Sequence, residues 1–373
     1  MTRFPVPPAR ITRRLRQRAE REYKGTDGEV GLRAHREVGT VYEKNGEKYF
    51  VVDGHMHWWD ASLENIKNKY GEGFIQCFYA YHSNLSPAEY VWPLEKYRKY
   101  SEEDLMKDLF EDGYVDKAIF LPTYLTDWYH EGFNTTARDA ILKEKYPDKF
   151  ILNSAWDPRD GQKGLEELER KVKKWDIKGV KIYTAEWKGE SRGFSLADKE
   201  SYRYLEKCQE LGVTNIHVHK GPTIWPMDRD SFDVHDVDHA ATDFQGLTFI
   251  VEHVGLPRLE DFCWIATQES NVWGGLAVAL PFIHTRPRFF AKVIGELLFW
   301  IGPDKITFAS DYALWHPKWL IEKFVDFQIP EDMQEEYGQI STETKKKILG
   351  LNLAGMYGVE VPDDMKVAEA ASV

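Results

Sequence analysis

The sequence predicts an α/β protein: a (β/α)8 barrel of the TIM type, with an N-terminal arm and a long insertion after strand 1. Three observations predict it. From Lys48 onward, short apolar runs alternate with amphipathic helical stretches. Eight such runs occur, most of them followed by a helix. Histidines and an aspartate stand at the C-terminal ends of several runs, where barrels build their active sites. An open doubly wound sheet is the architectural rival. It would need a phosphate-binding loop, and the chain has neither GxGxxG nor GxxxxGKS nor GxxxxGKT.

Residues 1–47 are set apart as a polar arm, and residues 48–373 as the barrel. In the arm, residues 10–24 are rich in Arg and Glu and read as a polar helix, flanked by Pro5, Pro7 and Pro8 and by Gly25, Gly28 and Gly31. Such an arm is either solvated or wrapped around a partner subunit. Arg13-Arg14 is not followed by an apolar stretch, so no export leader is expected.

The first strand is expected at 49–53, followed by an aromatic-rich insertion at 58–100. Ser101, with Asp104 three residues on, has the form of a helix N-cap. Further strands are expected at 117–121, 150–155, 179–183, 215–219, 247–252, 272–277 and 306–310. Helices are expected at 136–145, 164–175, 201–211, 289–300, 319–327 and 342–356. In the helix at 164–175, Leu165, Leu168 and Val172 share one face.

Composition excludes some functions. The net charge of −12 argues against general affinity for nucleic acid or anionic membranes. No apolar run reaches the roughly 18 residues of a membrane span. Cys77, Cys208 and Cys263 are an odd, scattered set without CxxC spacing, which predicts reduced thiols in a cytoplasmic protein.

The chemistry concentrates in four places. Asp53-Gly54-His55-Met56-His57 closes the first strand. Residues i and i+2 of a strand face one side, so His55 and His57 present two imidazoles to one point. Neutral imidazole suits Zn, Fe or Mn. Two interior histidines held by hydrogen bonds would leave the same pattern. His217-Val218-His219 ends the fifth strand, Glu252-His253 ends the sixth and Ser310-Asp311 ends the eighth. A lone Asp after a strand is usually a cap, but four such groups at barrel strand ends are hard to ascribe to packing. Other candidates stand nearby. Lys181 lies in the fourth strand, Glu186 just after it and His316 five residues past Asp311. Trp58 and Trp59 follow the first motif and suit the wall of an apolar pocket. Arg159, in Asp157-Pro158-Arg159, offers a guanidinium fork for a carboxylate. His235 and His239 are spaced as on a helix but lack the HExxH pattern and read as a solvated or lid helix.

The order and flanks of these motifs resemble the amidohydrolase superfamily, particularly the amidohydrolase-related branch that contains aminocarboxymuconate-semialdehyde decarboxylase and aromatic-acid decarboxylases. The matching pieces are DGHMH at 53–57, GVKIY at 179–183, HVHKG at 217–221, EHVG at 252–255, FASDY at 308–312 and ILGLNLAGMYG at 348–358. The resemblance spans residues 49–358. It implies that His55, His57, His219 and Asp311 hold a divalent ion (Zn, Mn or Fe), one per chain or two. It implies catalytic roles for Asp311 and His253, in proton transfer or substrate polarisation. His253, His217, Glu186, His316 and Lys181 would be the candidates for a second metal. Trp58, Trp59 and Arg159 would contact the substrate.

The function implied is a metal-dependent hydrolase or non-oxidative decarboxylase acting on a small carboxylate or aromatic compound. The alternative is an O2-activating oxygenase with a dinuclear Fe/Mn site, for which the surplus histidines and the arm speak. A third reading is a barrel that keeps a metal only for structure. Asp311 and His253 count against it, because a structural metal needs no proton carrier. A small-molecule substrate and an oligomer with a like or unlike barrel subunit are expected.

Overall fold

The computed structural model describes residues 41–367. The arm's expected polar helix lies outside the described residues. The described chain opens with a hairpin, β1 (Tyr42–Lys44) and β2 (Glu47–Tyr49), paired antiparallel. Here the sequence reading needs correction: residue 49 belongs to this hairpin, and the first barrel strand is β3 (Val52–Met56). The physical reason is Asn45-Gly46, where both residues take positive φ (54° and 79°). That is the turn chemistry a two-residue hairpin requires.

The remaining strands are β4 (Lys117–Phe120), β5 (Phe150–Leu152), β6 (Ser154–Ala155), β7 (Gly179–Ile182), β8 (Asn215–His219), β9 (Thr248–Glu252), β10 (Val272–Gly275) and β11 (Ile306–Thr307). All pairs among them are parallel, in the orders β3-β4-β5 and β6-β7-β8-β9-β10-β11. β5 and β6 are one strand interrupted at Asn153. At the other seam, the Gly54 amide donates to Phe308 O (3.0 Å), and Met56 bridges in parallel to Tyr312. First and last strands therefore meet at this seam. Gly54 permits this approach, since a Cβ there would stand 2.9 Å from Phe308 O.

Helices separate the strands as expected. Thr136–Lys145 and Gly161–Trp175 follow β4 and β6. Lys199–Glu210 follows β7 and Pro287–Trp300 follows β10. Ser101 caps Glu102–Met106 in a full capping box with Asp104. The insertion at 58–100 is built on helix Lys69–Leu85, whose Phe74 and Phe78 are buried over the barrel mouth near Trp59 and Phe133. No helix among the described residues is long and apolar enough to cross a membrane.

Candidate metal centre

Asp53 sets the geometry. Its Oδ1 accepts the Ser310 amide (2.9 Å) and the His55 amide (3.2 Å), and its Oδ2 accepts the Ser310 hydroxyl. This clamp joins the end of the first strand to the loop after the last, and so delivers Asp311 to His55 and His57. The Asp311 Oδ1 lies 3.3 Å from His57 Nε2 and 3.6 Å from His55 Nε2, and the two Nε2 atoms are 3.1 Å apart. All three side chains are buried. Ligands about 2.0–2.2 Å from one ion stand about 3.0–3.5 Å from each other, so these separations are those of a shared coordination sphere.

Hydrogen bonding fixes the tautomers. His55 Nδ1 faces the Glu252 Oε2 at 2.8 Å, so Nδ1 carries the proton and Nε2 a lone pair. His57 Nδ1 faces Asn134 Oδ1 at 3.2 Å. The Asn134 amide is itself oriented, because its Nδ2 donates to Asp139 Oδ1 at 2.6 Å. His57 Nε2 is therefore bare as well. Two lone pairs and a carboxylate oxygen face one point with no proton between them. Lys181 Nζ is 3.4 Å from His55 Nε2, beyond the usual hydrogen-bond range. A divalent cation fits this donor set.

His219 stands outside this trio but belongs to the same cavity. His253 Nδ1 donates to Ala277 O (3.2 Å), which leaves its Nε2 to accept from His219 Nδ1 at 3.0 Å. His219 Nε2 is then a third bare lone pair, buried and without a partner among the described residues. His253 Nδ1 also lies 3.9 Å from Asp311 Oδ2.

The charges are set accordingly. Burial raises the Asp311 carboxyl, but His55, His57 and His253 outweigh that and hold it well below the usual carboxylate range. Burial pulls His55 down to about 3, and His253 to about 4, so both are neutral near pH 7. Burial draws the Lys181 ammonium down to about 8. Asp311 (φ 57°), His253 (φ 67°) and Val278 (φ 66°) line the cavity in left-handed conformations that L-residues rarely adopt. Such strain persists where the surroundings enforce it, and it gathers at functional sites.

The other sequence candidates are placed elsewhere. His217 has both ring nitrogens engaged, Nδ1 with Glu252 Oε1 (2.6 Å) and Nε2 with the Tyr357 hydroxyl (2.7 Å). His316 caps helix Pro317–Asp326 and sits 3.5 Å from Asp108. Glu186 lies in a second cavity with Asp157 and Lys188, and burial pushes it up to about 8. Arg159 is bound to the Asp157 carboxylate and donates to Glu186 O (2.9 Å). Trp59 is fully buried, donates to Tyr97 O and stacks on Phe133, behind the site. Trp58 is half-buried, with the Arg138 guanidinium over its ring. None of these is among the cavity-lining residues, whereas the second-metal candidates Lys181 and His253 are. That lining is mostly apolar and aromatic: Phe78, Phe133, Ile224, Val278 and Leu314, with Tyr81, Tyr183 and Trp315. Sequence reasoning missed Asn134, Tyr183, Trp315 and the bridging role of Glu252. Glu252 and Tyr183 stood in recognised motifs, EHVG and GVKIY, and the other two did not.

The comparisons agree with this architecture. A family model described as amidohydrolase matches residues 52–359. An uncharacterised TIM-barrel protein from Bordetella bronchiseptica is similar in structure (TM-score 0.63, 15% identity, 83% of this chain and 98% of that one). So is a 2,6-dihydroxybenzoate decarboxylase from Rhizobium (TM-score 0.53, 13% identity, 83% and 99%). So is a 5-carboxyvanillate decarboxylase from Novosphingobium aromaticivorans with bound manganese (TM-score 0.52, 16% identity, 83% and 97%). At these identities the likeness is one of fold. No curated protein matches. With the family model covering the whole barrel, the chain belongs to the amidohydrolase family.

Proposed function

We propose that the protein is a metal-dependent enzyme, a hydrolase or non-oxidative decarboxylase, acting on a small carboxylate or aromatic substrate. One observation carries it: His55 and His57 hold bare Nε2 atoms 3.1 Å apart, with Asp311 beside them and both Nδ1 protons committed elsewhere. Lone pairs so placed repel one another unless a cation lies between them.

His55, His57 and Asp311 hold the ion, and His219 offers a fourth donor through its unpartnered Nε2. When bound, a divalent ion supplies a Lewis acid that activates water or polarises a carboxylate. The ionised Asp311 accepts a proton at Oδ2. His253, whose Nδ1 is 3.9 Å from that atom, holds the His219 tautomer and lends its ring dipole to the site. The apolar walls exclude bulk water and suit an aromatic or branched substrate. Manganese is a reasonable resident ion, because a fold neighbour is described with manganese bound.

One ion per chain is the reading favoured here. Among the described residues one metal-sized group is gathered, while His217 and His316 are engaged elsewhere. We assign residues 1–47 to the arm and 48–373 to the barrel. We further propose an assembly with another barrel subunit. Trp264 and Phe299, which are 63% and 70% exposed and both in ring contact with Trp300, support that.

The test is elemental analysis of the purified protein and of His57→Ala and Asp311→Asn variants. About one divalent metal per chain is expected in the parent and little in either variant. Release of CO2 and hydrolysis would then be assayed separately on aromatic carboxylates. Well-folded parent that neither carries nor takes up metal would end the proposal.

A further inference from the structure

Buried polar atoms without partners are rare in folded proteins, and each asks for an explanation. Three of them belong to residues that line the cavity holding the metal trio. They are the Tyr183 hydroxyl, the Trp315 indole Nε1 and the His219 Nε2, none with a hydrogen-bond partner among the described residues. The residues are 6%, 0% and 4% exposed. His219 Nε2 is an acceptor and is accounted for as a ligand. The other two are donors, so an ion does not satisfy them; they need an acceptor atom. No arginine lines this cavity, and its one lysine, Lys181, lies beside His55.

We propose that Tyr183 and Trp315 are the substrate-binding donors of the site, and that together they take a carboxylate oxygen of a small substrate with an apolar body. This rests on the metal-dependent reading above and deepens it. Tyr183 follows β7 and is held by its ring, tilted at 37° with its centroid 4.3 Å from that of His219 and edge-on to Phe232. A phenol fixed in this way has lost its rotational freedom before substrate arrives, so little entropy is lost on binding. Trp315 can only donate, and its indole is fully enclosed. Two neutral donors and a nearby cation recognise a carboxylate without an arginine fork. Phe78, Phe133, Ile224 and Leu314 line the same cavity and must part to admit the body of the substrate, because the space between them is about 20 Å³. Tyr183 and Lys181 also line the second, larger cavity, so Tyr183 stands at the partition between the two spaces.

The experiment uses the full chain loaded with Mn, with metal content measured in every sample. Benzoate and isobutyrate are the probe carboxylates and benzamide is the uncharged control, all followed by titration calorimetry. We expect benzoate to bind better than benzamide, Tyr183→Phe and Trp315→Phe each to weaken it about 3- to 10-fold, and the double variant to lose about the product. Mn content should stay at the parent level. The ligand-free Tyr183→Phe protein should melt at or above the parent temperature, because the substitution removes a hydroxyl that has no partner. Parent-like affinity for both carboxylates in the variants would overturn the proposal. So would a parent that holds one Mn yet binds neither carboxylate, and so would a ligand-free Tyr183→Phe protein that melts several degrees lower, which marks the hydroxyl as structural. A folded parent that binds no Mn would instead overturn the metal reading beneath it.

Discussion

Replacing Glu252 by Gln should weaken metal binding without touching a ligand. The Glu252 carboxylate accepts from His55 Nδ1 at 2.8 Å and from His217 Nδ1 at 2.6 Å. Burial raises this carboxyl, but His55, His217 and Lys181 outweigh it and keep Glu252 ionised. Gln has the same shape but one acceptor oxygen and one NH2, so one histidine must face a donor. If that histidine is His55, its proton moves to Nε2 and closes the coordinating position. If it is His217, the Tyr357 hydroxyl can accommodate the flip, and the main loss is electrostatic. An ion coordinated through His55 would lie about 7 Å from the carboxylate, so removing one charge opposite a divalent ion at an effective dielectric of about 20 costs at most about 4.7 kcal/mol. The loss usual for such supporting groups is about 10- to 100-fold, and a loss of at least that size is expected here. Gly275→Ala makes an independent test, because a Cβ there would stand 2.7 Å from Glu252 Oε2 and push the carboxylate aside. Affinity would be measured by competition against a chelator of known strength. If Glu252→Gln holds metal as tightly as the parent, the carboxylate does not orient His55 and the tautomer argument fails.

Further expectations follow from buried charges. Glu186 is raised by burial from 4.5 to about 8, so the native state keeps a proton that the unfolded chain releases. Its contribution to stability is therefore present below about pH 4.5 and is lost as pH rises toward 8. Glu186→Gln should melt like the parent at the acid end and increasingly above it up to pH 8, in thermal scans across that range. Lys220 and Asp236 form an ion pair at 2.7 Å with both side chains almost fully buried. Lys220→Met strands the aspartate and should cost about 3–5 kcal/mol in denaturant unfolding. For assembly, Trp264→Glu combined with Phe299→Glu should lower the mass seen by sedimentation; an unchanged mass would move the interface elsewhere.

The two HxH pairs look alike in sequence and differ in structure. At β3 the pairing with β4 shifts register between Asp53 and Met56, and the strand ends there. His55 and His57 therefore turn toward one point. At β8 the ladder stays regular, with His217 opposite Ile250 and His219 opposite Glu252. Residues two apart in a regular strand share a face but stand about 6.6 Å apart along it. His219 thus reaches the cavity while His217 lies one layer deeper, against Tyr357. The period-two rule predicts the face and is silent on the level. Asp311 was legible because it follows the last barrel strand, at the end where barrels build their sites. Tyr183 and Trp315 were not, since an aromatic at a strand end packs as often as it binds, and only the lack of a partner for the polar atom separates the two cases. Arg159 was misleading for a related reason: Asp157, two residues away, binds it first.

The same logic explains why the supporting residues come from distant strands. A histidine ligand needs its second nitrogen protonated and held, and the acceptor must lie about one ring's width behind the metal. For His55, on the first barrel strand, that place is occupied by Glu252, 197 residues later and across the barrel. The glutamate fits because its neighbour at the same level of the sheet, Gly275, has no side chain to fill the space. For His57 the acceptor is Asn134, which comes from the loop before helix Thr136–Lys145 and is oriented by Asp139 on that helix. For His219 it is His253, oriented in turn by Ala277 O. Each ring is held by a different part of the barrel, and each chain of donors ends on an acceptor that cannot pass the proton back. The three Nε2 atoms are therefore left bare by the fold itself. A single-metal hydrolytic or decarboxylating centre needs such a set, formed before ion or substrate enters.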